Sequence, residues 1–319
     1  MGVLQVNDNV SYTTEEIAKL LKISKLTVYD LIKKGKLPAY KVGKQMRIDH
    51  ADLEAYKQAS KDFVAKPAHD MGKRELYVAS ENSGVRQVVI TGQDLSLDIL
   101  SSYLEKHSPF LRPLRSYVGS LDSLISMYQG KSDIVSTHLL DGDTGEYNVP
   151  YIRKLLVGSS YLVVNLMSRW AGLYVAPGNP HQLQGWTDLT KPGLRFVNRE
   201  KGAGARVLVD EQLRIHGLDR GAIQGYENEE TSHFAVAAKV ASGEADVGVG
   251  SMKAASVVAG VEFIPLIKER YDLVLLDQPE NTVLIQTVLD ILRSDAFRHE
   301  LSMISGYDLS ETGKIMLRM

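Results

Sequence analysis

Between residues 11 and 57 the apolar positions recur three or four apart, then two apart, then three or four apart again. Thr13 followed by Glu16 has the spacing of a capping box, and Ile17, Leu20 and Leu21 behind it share one helical face. Ser24 starts a second helix, Lys25 to Lys34, with Val28, Leu31 and Ile32 facing inward and Gly35 stopping it. A tight turn near Lys22 and Ile23 makes the pair a helix-turn-helix, whose second helix is built to enter a DNA major groove. Ala39 to Val42 and Gln45 to Ile48 alternate around Gly43-Lys44 as a hairpin, and Asp49 then caps a third helix with Leu53 and Tyr56 inside. The head is thus predicted to be a small all-α domain carrying a β wing. Its second helix would offer DNA the side chains of Lys25, Thr27, Tyr29, Lys33 and Lys34. The wing would set Lys41, Lys44 and Arg47 against phosphate.

Residues 1–60 form this head, and a polar stretch at 61–74, punctuated by Pro67 and Gly72, reads as a linker. Beyond it, over 75–319, short apolar strands alternate with amphipathic helices. Strands are expected at 76–79, 88–90, 114–118 and 133–137, and helices at 95–106 and 121–129. Such alternation implies a parallel, helix-covered α/β sheet. Residues 121–140 and 232–251 repeat one plan: an apolar helix, a Gly shortly before an Asp, then a strand ending in small hydroxyl residues. Two similar halves suggest a two-lobed clamp, hinged somewhere within 151–174.

Charge divides along the same boundary. Residues 1–66 carry 12 Lys/Arg against 8 Asp/Glu, and the remainder 25 against 31, so a basic head sits on an acidic body. With no cysteine among the 319 residues, disulfides and thiolate metal sites are excluded. The first residues lack a basic and apolar leader, and no apolar run approaches membrane-spanning length, which makes the cytoplasm the expected location. No phosphate-loop ending in Gly-Lys-Ser/Thr occurs, nor a zinc-protease helix or a Gly-x-Ser-x-Gly elbow. Asp141, Asp143 and Glu146 read as an exposed glycine-rich loop, and no enzyme activity is expected.

The head resembles the MerR-like excisionase family of winged DNA-binding domains, on residues 12–18, 27–29, Ile32, 35–39 and Arg47-Ile48. The run NREKGAGARVLVDEQL (198–213), with Tyr226, Thr231-Ser232-His233, residues 241–251 and 263–274, and residues 138–156 upstream, is similar to the periplasmic-binding-protein-like domain of bacterial regulators. That resemblance implies a two-lobed α/β fold of the type 2 class. It also associates the chain with molybdate- and tungstate-binding proteins, and an oxyanion effector is expected on that ground alone. Ala203 stands where the family usually has a hydroxyl, and Thr231-Ser232-His233 where it often has Thr-His.

In such a clamp the helix starts after Thr91-Gly92, at Ser120, at the Gly202–Gly204 loop and at Ser232 would aim backbone N–H groups at an anion. Thr91, Ser120, Thr231 and Ser251 would add hydroxyls; His138 and His233 are either ligand contacts or structural histidines. Arg199 and Arg206 would either charge the site or bridge the lobes as ion pairs. The expectation is a one-component transcriptional regulator with double-stranded DNA and a small anion as partners and no resident cofactor. Because one module reads only a short half-site, a homodimer is expected. Alternatives are the same architecture sensing a pterin or another metabolite, and an architectural excisionase-like protein with no effector.

Overall fold

The structure, a computed structural model, describes residues 11–21, 24–33, 37–43, 45–53, 56–57 and 85–319. Lys34, Lys44, the 61–74 linker and the strand expected at 76–79 lie outside the described residues. The chain divides into two units, Met1–Lys73 and Arg74–Met319.

In the first unit, β1 (Ser11–Thr13) leads into α1 (Thr14–Leu21), followed by α2 (Lys25–Lys33) and a hairpin of β2 (Tyr40–Val42) and β3 (Gln45–Asp49). Residues 50–53 and 56–57 are helical and are called α3. The capping box forms: Glu16 N–H donates to Thr13 Oγ1 at 3.3 Å, and Thr13 N–H to Glu16 Oε2 at 2.8 Å. Ser24 Oγ likewise accepts the N–H of Thr27 at 3.1 Å and opens α2. Ile17, Val28, Leu37, Ile48 and Leu53 bury together as one core. β1 is an addition to the pattern read from sequence; it completes a three-stranded sheet of order β1-β3-β2.

In the second unit, β4 (Arg86–Thr91), α4 (Ser96–His107), β5 (Leu111–Ser116), α5 (Ser120–Tyr128), β6 (Ile134–Thr137) and α6 (Val149–Leu155) build the first lobe. Leu97, Leu100 and Leu104 lie on one face of α4 and bury against Val88 and Ile90 of β4. Each such side chain removed from water stabilises the fold by about 1.5–3 kcal/mol. The chain then enters the second lobe on β7 (Tyr161–Val175), which leads to β8 (Phe196–Arg199), α7 (Gly204–Ile215), β9 (Glu229–Glu230), α8 (His233–Ala241), β10 (Val247–Ser251) and α9 (Met252–Val257). It returns along β11 (Glu262–Leu276), and α10 (Thr282–Arg293), α11 (Asp295–Ser302), β12 (Tyr307–Asp308) and β13 (Ile315–Arg318) close the first lobe.

The strand order is β5-β4-β6-β11-β7-β10-β8-β9, with β12 and β13 also on β7. Within each lobe the βα units pair in parallel, β4 with β5 and β6, and β8 with β9 and β10. The expectation of an all-parallel sheet is corrected at the centre. β7 and β11 pair antiparallel from Tyr161↔Leu276 to Val175↔Glu262, and so belong to both lobes. The hinge expected over 151–174 is therefore split between helix α6 and one continuous strand. The lobes meet directly: Leu121 N–H donates to the Gly202 carbonyl at 3.0 Å, and Gly142 N–H to Glu211 Oε2 at 2.7 Å.

Candidate functional site

The α5–β6 and α8–β10 units occupy matching places in the two lobes, and both strands end at the same cavity. It encloses ≈ 220 Å³ between the lobes. The β4–α4 turn supplies Gln93, Asp94 and Leu95, and α4 adds Asp98. His138 lies at the end of β6, Ser232, His233 and Phe234 open α8, and Ser251 and Lys253 start α9. Arg169 and Tyr271 come from the middle of the two shared strands.

Arg169 is the centre of the site. It is 4% exposed, its Nη1 lies 2.5 Å from Asp94 Oδ2, and its Nε lies 2.6 Å from Glu269 Oε1. Its guanidinium stacks 4.8 Å from the centre of the Tyr271 ring, and the His138 ring stacks on Tyr271 at 4.8 Å. Burial opposes charge on Arg169, but Glu269 and Asp94 overcome it and keep it a cation. The two carboxylates differ. Asp94 also accepts from Tyr307 Oη at 2.5 Å and from the N–H and hydroxyl of Ser96 at 2.9 and 2.7 Å. Burial pushes its pKa up, yet Arg169, Tyr307 and Ser96 outweigh burial and leave it lowered. For Glu269 burial wins: the charge and hydrogen bond of Arg169 offset it in part, Asp94 adds to it, and its pKa is raised. Asp94 is thus an internal carboxylate already seated at the start of α4, where an external anion was expected.

The two histidines of the cavity are held differently. Burial, reinforced by the charges of Arg169 and Arg199, holds His138 well below the usual histidine pKa, and the same arginines act on His233. Both rings are therefore neutral near pH 7. Lys253, half-buried, reaches the cavity with its ammonium 5.7 Å from the Tyr307 ring centre. Arg199, itself buried, crosses the lobes: its Nη2 donates to Gln93 Oε1 at 2.6 Å, and Gln93 Nε2 donates to Glu200 Oε1 at 3.1 Å.

Of the ligand residues expected from sequence, the structure brings His138, Ser232, His233 and Ser251 to the cavity lining. The rest it places around or away from that lining. Thr91 is buried with its hydroxyl toward the Ile134 carbonyl at 3.4 Å, and Gly92 packs against Ser136 at φ +138°. Ser120 holds His138 from behind, with Oγ 3.0 Å from Nδ1. Gly202 and Gly204 are where the lobes touch: Gly202 faces Gly119, and Gly204 lies against the His138 ring. Thr231 has an exposed side chain, and its carbonyl accepts from Arg199 at 3.1 Å. Arg199 bridges lobes through Gln93. Arg206 turns elsewhere, to Glu229 at 2.9 Å and to the face of Tyr226 at 4.3 Å. Asp143 is tied to Arg214 at 2.9 Å.

Arg169, Glu269, Asp94, Lys253 and Tyr271 were not singled out from sequence as site residues. One signal was present. Asn165, Ser168 and Arg169 are polar interruptions in the otherwise apolar run 161–175, and a buried charge inside a strand must have partners.

On the head, Thr27, Tyr29 and Lys33 lie exposed on α2, while Lys25 lies 3.6 Å from Glu15. Lys41 is exposed on the wing. Arg47, expected at the wing tip, pairs with Tyr40 and Thr13, three register positions from the turn and half-buried. Adjacent strand residues alternate faces, so Arg47 lies on the face opposite buried Ile48.

Residues 101–293 match the PBP superfamily domain, and residues 11–61 a helix-turn-helix domain. The chain is 49% identical over 315 residues to the uncharacterized protein YvgK of Bacillus subtilis, covering 98% of this chain and 99% of that one. A Clostridium pasteurianum protein, uncharacterized and described by its place in the 5′ region of a 2Fe-2S ferredoxin gene, is 45% identical over 113 residues, 35% of this chain and all (100%) of its own. Among solved structures, a hydrogen-peroxide-bound mutant of OxyR from Corynebacterium glutamicum aligns with a TM-score of 0.50 at 13% identity, covering 92% of this chain and 90% of that one. A phosphate-bound ABC-transporter substrate-binding protein from Clostridium perfringens aligns with the same TM-score, 0.50, at 13% identity, covering 70% of this chain and 99% of that one. At these identities the likeness is one of fold.

Proposed function

The chain belongs to the PBP superfamily, with a helix-turn-helix domain ahead of its two lobes, and on that footing we propose a one-component DNA-binding regulator that senses a small anion. Molybdate and tungstate are the first candidates. The observation that carries the proposal is the ≈ 220 Å³ cavity lined from both lobes, with the cation of Lys253 and the neutral rings of His138 and His233 in its lining. The volume lies below the roughly 300–1,000 Å³ of pockets for drug-sized molecules, which favours a small ligand. The reading is one of binding rather than catalysis: Asp94 and Glu269 are committed to Arg169. Leu95 and Phe234, both partly exposed at the lining, favour a second reading, a pterin or another small metabolite.

The regulator would act on DNA in the cytoplasm, as a pair of chains reading two half-sites. Among the described residues no helix is long and apolar enough to cross a membrane. Regulation requires the ligand to favour one lobe arrangement over another; equal affinity for both would shift nothing. The test is calorimetric titration of the full chain with sodium molybdate, sodium tungstate, phosphate and a pterin, followed by binding to DNA selected in vitro. Saturable heat with either metal oxyanion and a ligand-dependent change in DNA affinity are expected. Saturation by the pterin alone would replace the oxyanion with the second reading. No change in DNA affinity with any saturating ligand would overturn the regulator.

A further inference from the structure

Among the described residues, the Nε2 atoms of His138 and His233 at the cavity have no hydrogen-bond partner. The backbone N–H of His138 donates to Ser120 Oγ at 3.3 Å, and the same oxygen lies 3.0 Å from His138 Nδ1. Ser120 Oγ has one proton to give, and among the described residues His138 Nδ1 is the acceptor given for it; donated there, it leaves the ring proton of His138 on Nε2. That nitrogen lies beside Gly204, the first residue of α7, where any Cβ would run into it. The missing side chain lets the ring lie flat against the start of α7.

His233 reaches the same arrangement by another route. Its Nδ1 is sealed from solvent without a partner, against Gly250 and the Tyr174 ring. The Tyr174 hydroxyl is already donated to the Ser251 carbonyl at 2.7 Å. An orphaned buried N–H is rarer and costlier than an unused lone pair, so the proton belongs on Nε2, the edge toward the cavity. The charged and titratable groups around the pair are Arg169 on β7, Arg199 on β8, Asp94 before α4, Asp98 on α4, Lys253 on α9, Glu269 and Tyr271 on β11, and Tyr174 on β7. None offers an acceptor to either Nε2 in the described hydrogen-bond network.

We propose that the cavity recognises its ligand through the paired Nε2–H donors of His138 and His233, both as neutral imidazoles, and therefore takes hold of an acceptor-only group, the deprotonated oxygens of an oxyanion. The proposal rests on the small-anion reading above and adds the atoms that do the recognising. Because neither ring exchanges a proton on binding, affinity for an oxyanion that does not itself titrate is flat between about pH 6 and pH 8.

The test uses the full chain with its eight histidines nitrogen-15 labelled. Long-range proton–nitrogen correlation spectra, assigned with His138→Gln and His233→Gln, are expected to show two neutral Nε2–H rings that do not titrate across that range. Both are expected to shift on addition of sodium molybdate or tungstate. His233→Phe, which removes the donor, should weaken oxyanion binding roughly ten- to a hundredfold, and His233→Gln, which returns an N–H, should recover part of it. Gly204→Ala, whose Cβ would press on the His138 ring and displace it, should weaken binding in the same range. A ring that titrates near the ordinary histidine pKa, an Nδ1–H tautomer, or saturation by an oxyanion that moves neither signal overturns the proposal. If neither oxyanion gives heat while both rings keep the Nε2–H form, the small-anion reading falls and the donor assignment stands.

Discussion

Replacing Arg169 by Met is the sharpest way to ask whether the charge cluster is organised as described. The substitution keeps an unbranched stem over Tyr271 but removes the cation between Asp94 and Glu269, 2.5 and 2.6 Å away. Asp94 retains Tyr307 and Ser96 as donors, whereas Glu269 is left buried with no donor from Arg169. Breaking a buried pair in this way costs about 3–5 kcal/mol, since the remaining charge is uncompensated. For a unit of this size each kcal/mol moves the midpoint by about 2–4 °C, so a fall of about 6–20 °C is expected. The sign with pH follows from Glu269, whose folded pKa is already raised by burial and rises further without Arg169. Such a group stabilises the fold below its unfolded pKa and loses that contribution as pH climbs through the folded value. The deficit of Arg169→Met against the native chain should therefore grow from acid toward neutral pH. Both tryptophans, Trp170 and Trp186, lie in the second unit, so thermal unfolding followed by tryptophan fluorescence reports this unit alone. Arg169→Met combined with Glu269→Leu should recover at least half the loss, because an apolar replacement of the whole pair removes the stranded charge. A deficit under about 1 kcal/mol, one independent of pH, or a double variant no better than the single would refute the reasoning.

Three further outcomes are expected. Thr13→Ala removes half of the capping box and should cost about 0.5–2 kcal/mol, read as faster hydrogen exchange confined to α1; unchanged exchange there would count against the cap. Lys33→Ala should weaken binding to all DNA sequences alike and lower the salt slope by about one, while Thr27→Val should alter sequence preference; the reverse assignment would show that α2 lies differently on DNA. Gly119→Val would push a side chain into the Gly202 backbone of the opposite lobe, so the lobes should stay apart, with a larger radius in X-ray scattering and loss of ligand heat; unaltered binding would show that this contact is dispensable.

Much of the framework was legible because it is local. The capping box at Thr13 and Glu16, the Ser24 cap and the apolar stripe of α4 each declare themselves within a few residues. The echo between 121–140 and 232–251 corresponds to equivalent helix–strand units, since both must deliver a strand end to one cleft. The central strands were less legible. A 15-residue strand buried along most of its length shows no alternation, and 161–175 reads as two short apolar pieces around Ser168-Arg169. The run Lys268-Glu269-Arg270 looks like a solvated charge cluster, and only its pairing with Arg169 across β7 makes Glu269 a buried residue. Local sequence carries no record of that partner, which lies 100 residues away.

The two strands shared by the lobes also restrict how this chain can vary. Side chains alternate faces along a strand with a period of two, so losing one residue turns every later position over. In β7 a single deletion between the lobes would invert one lobe's core relative to the other and swing the cation at 169 out of its cluster. β11 meets β7 through two irregularities in register, at Pro265/Ile267 and Tyr271/Asp272, which set the phase between the halves. Length in this ribbon is therefore as constrained as identity. Insertions should accumulate in the peripheral turns of either lobe, and the ribbon should act as a fixed-length gauge against which the two halves are kept in step.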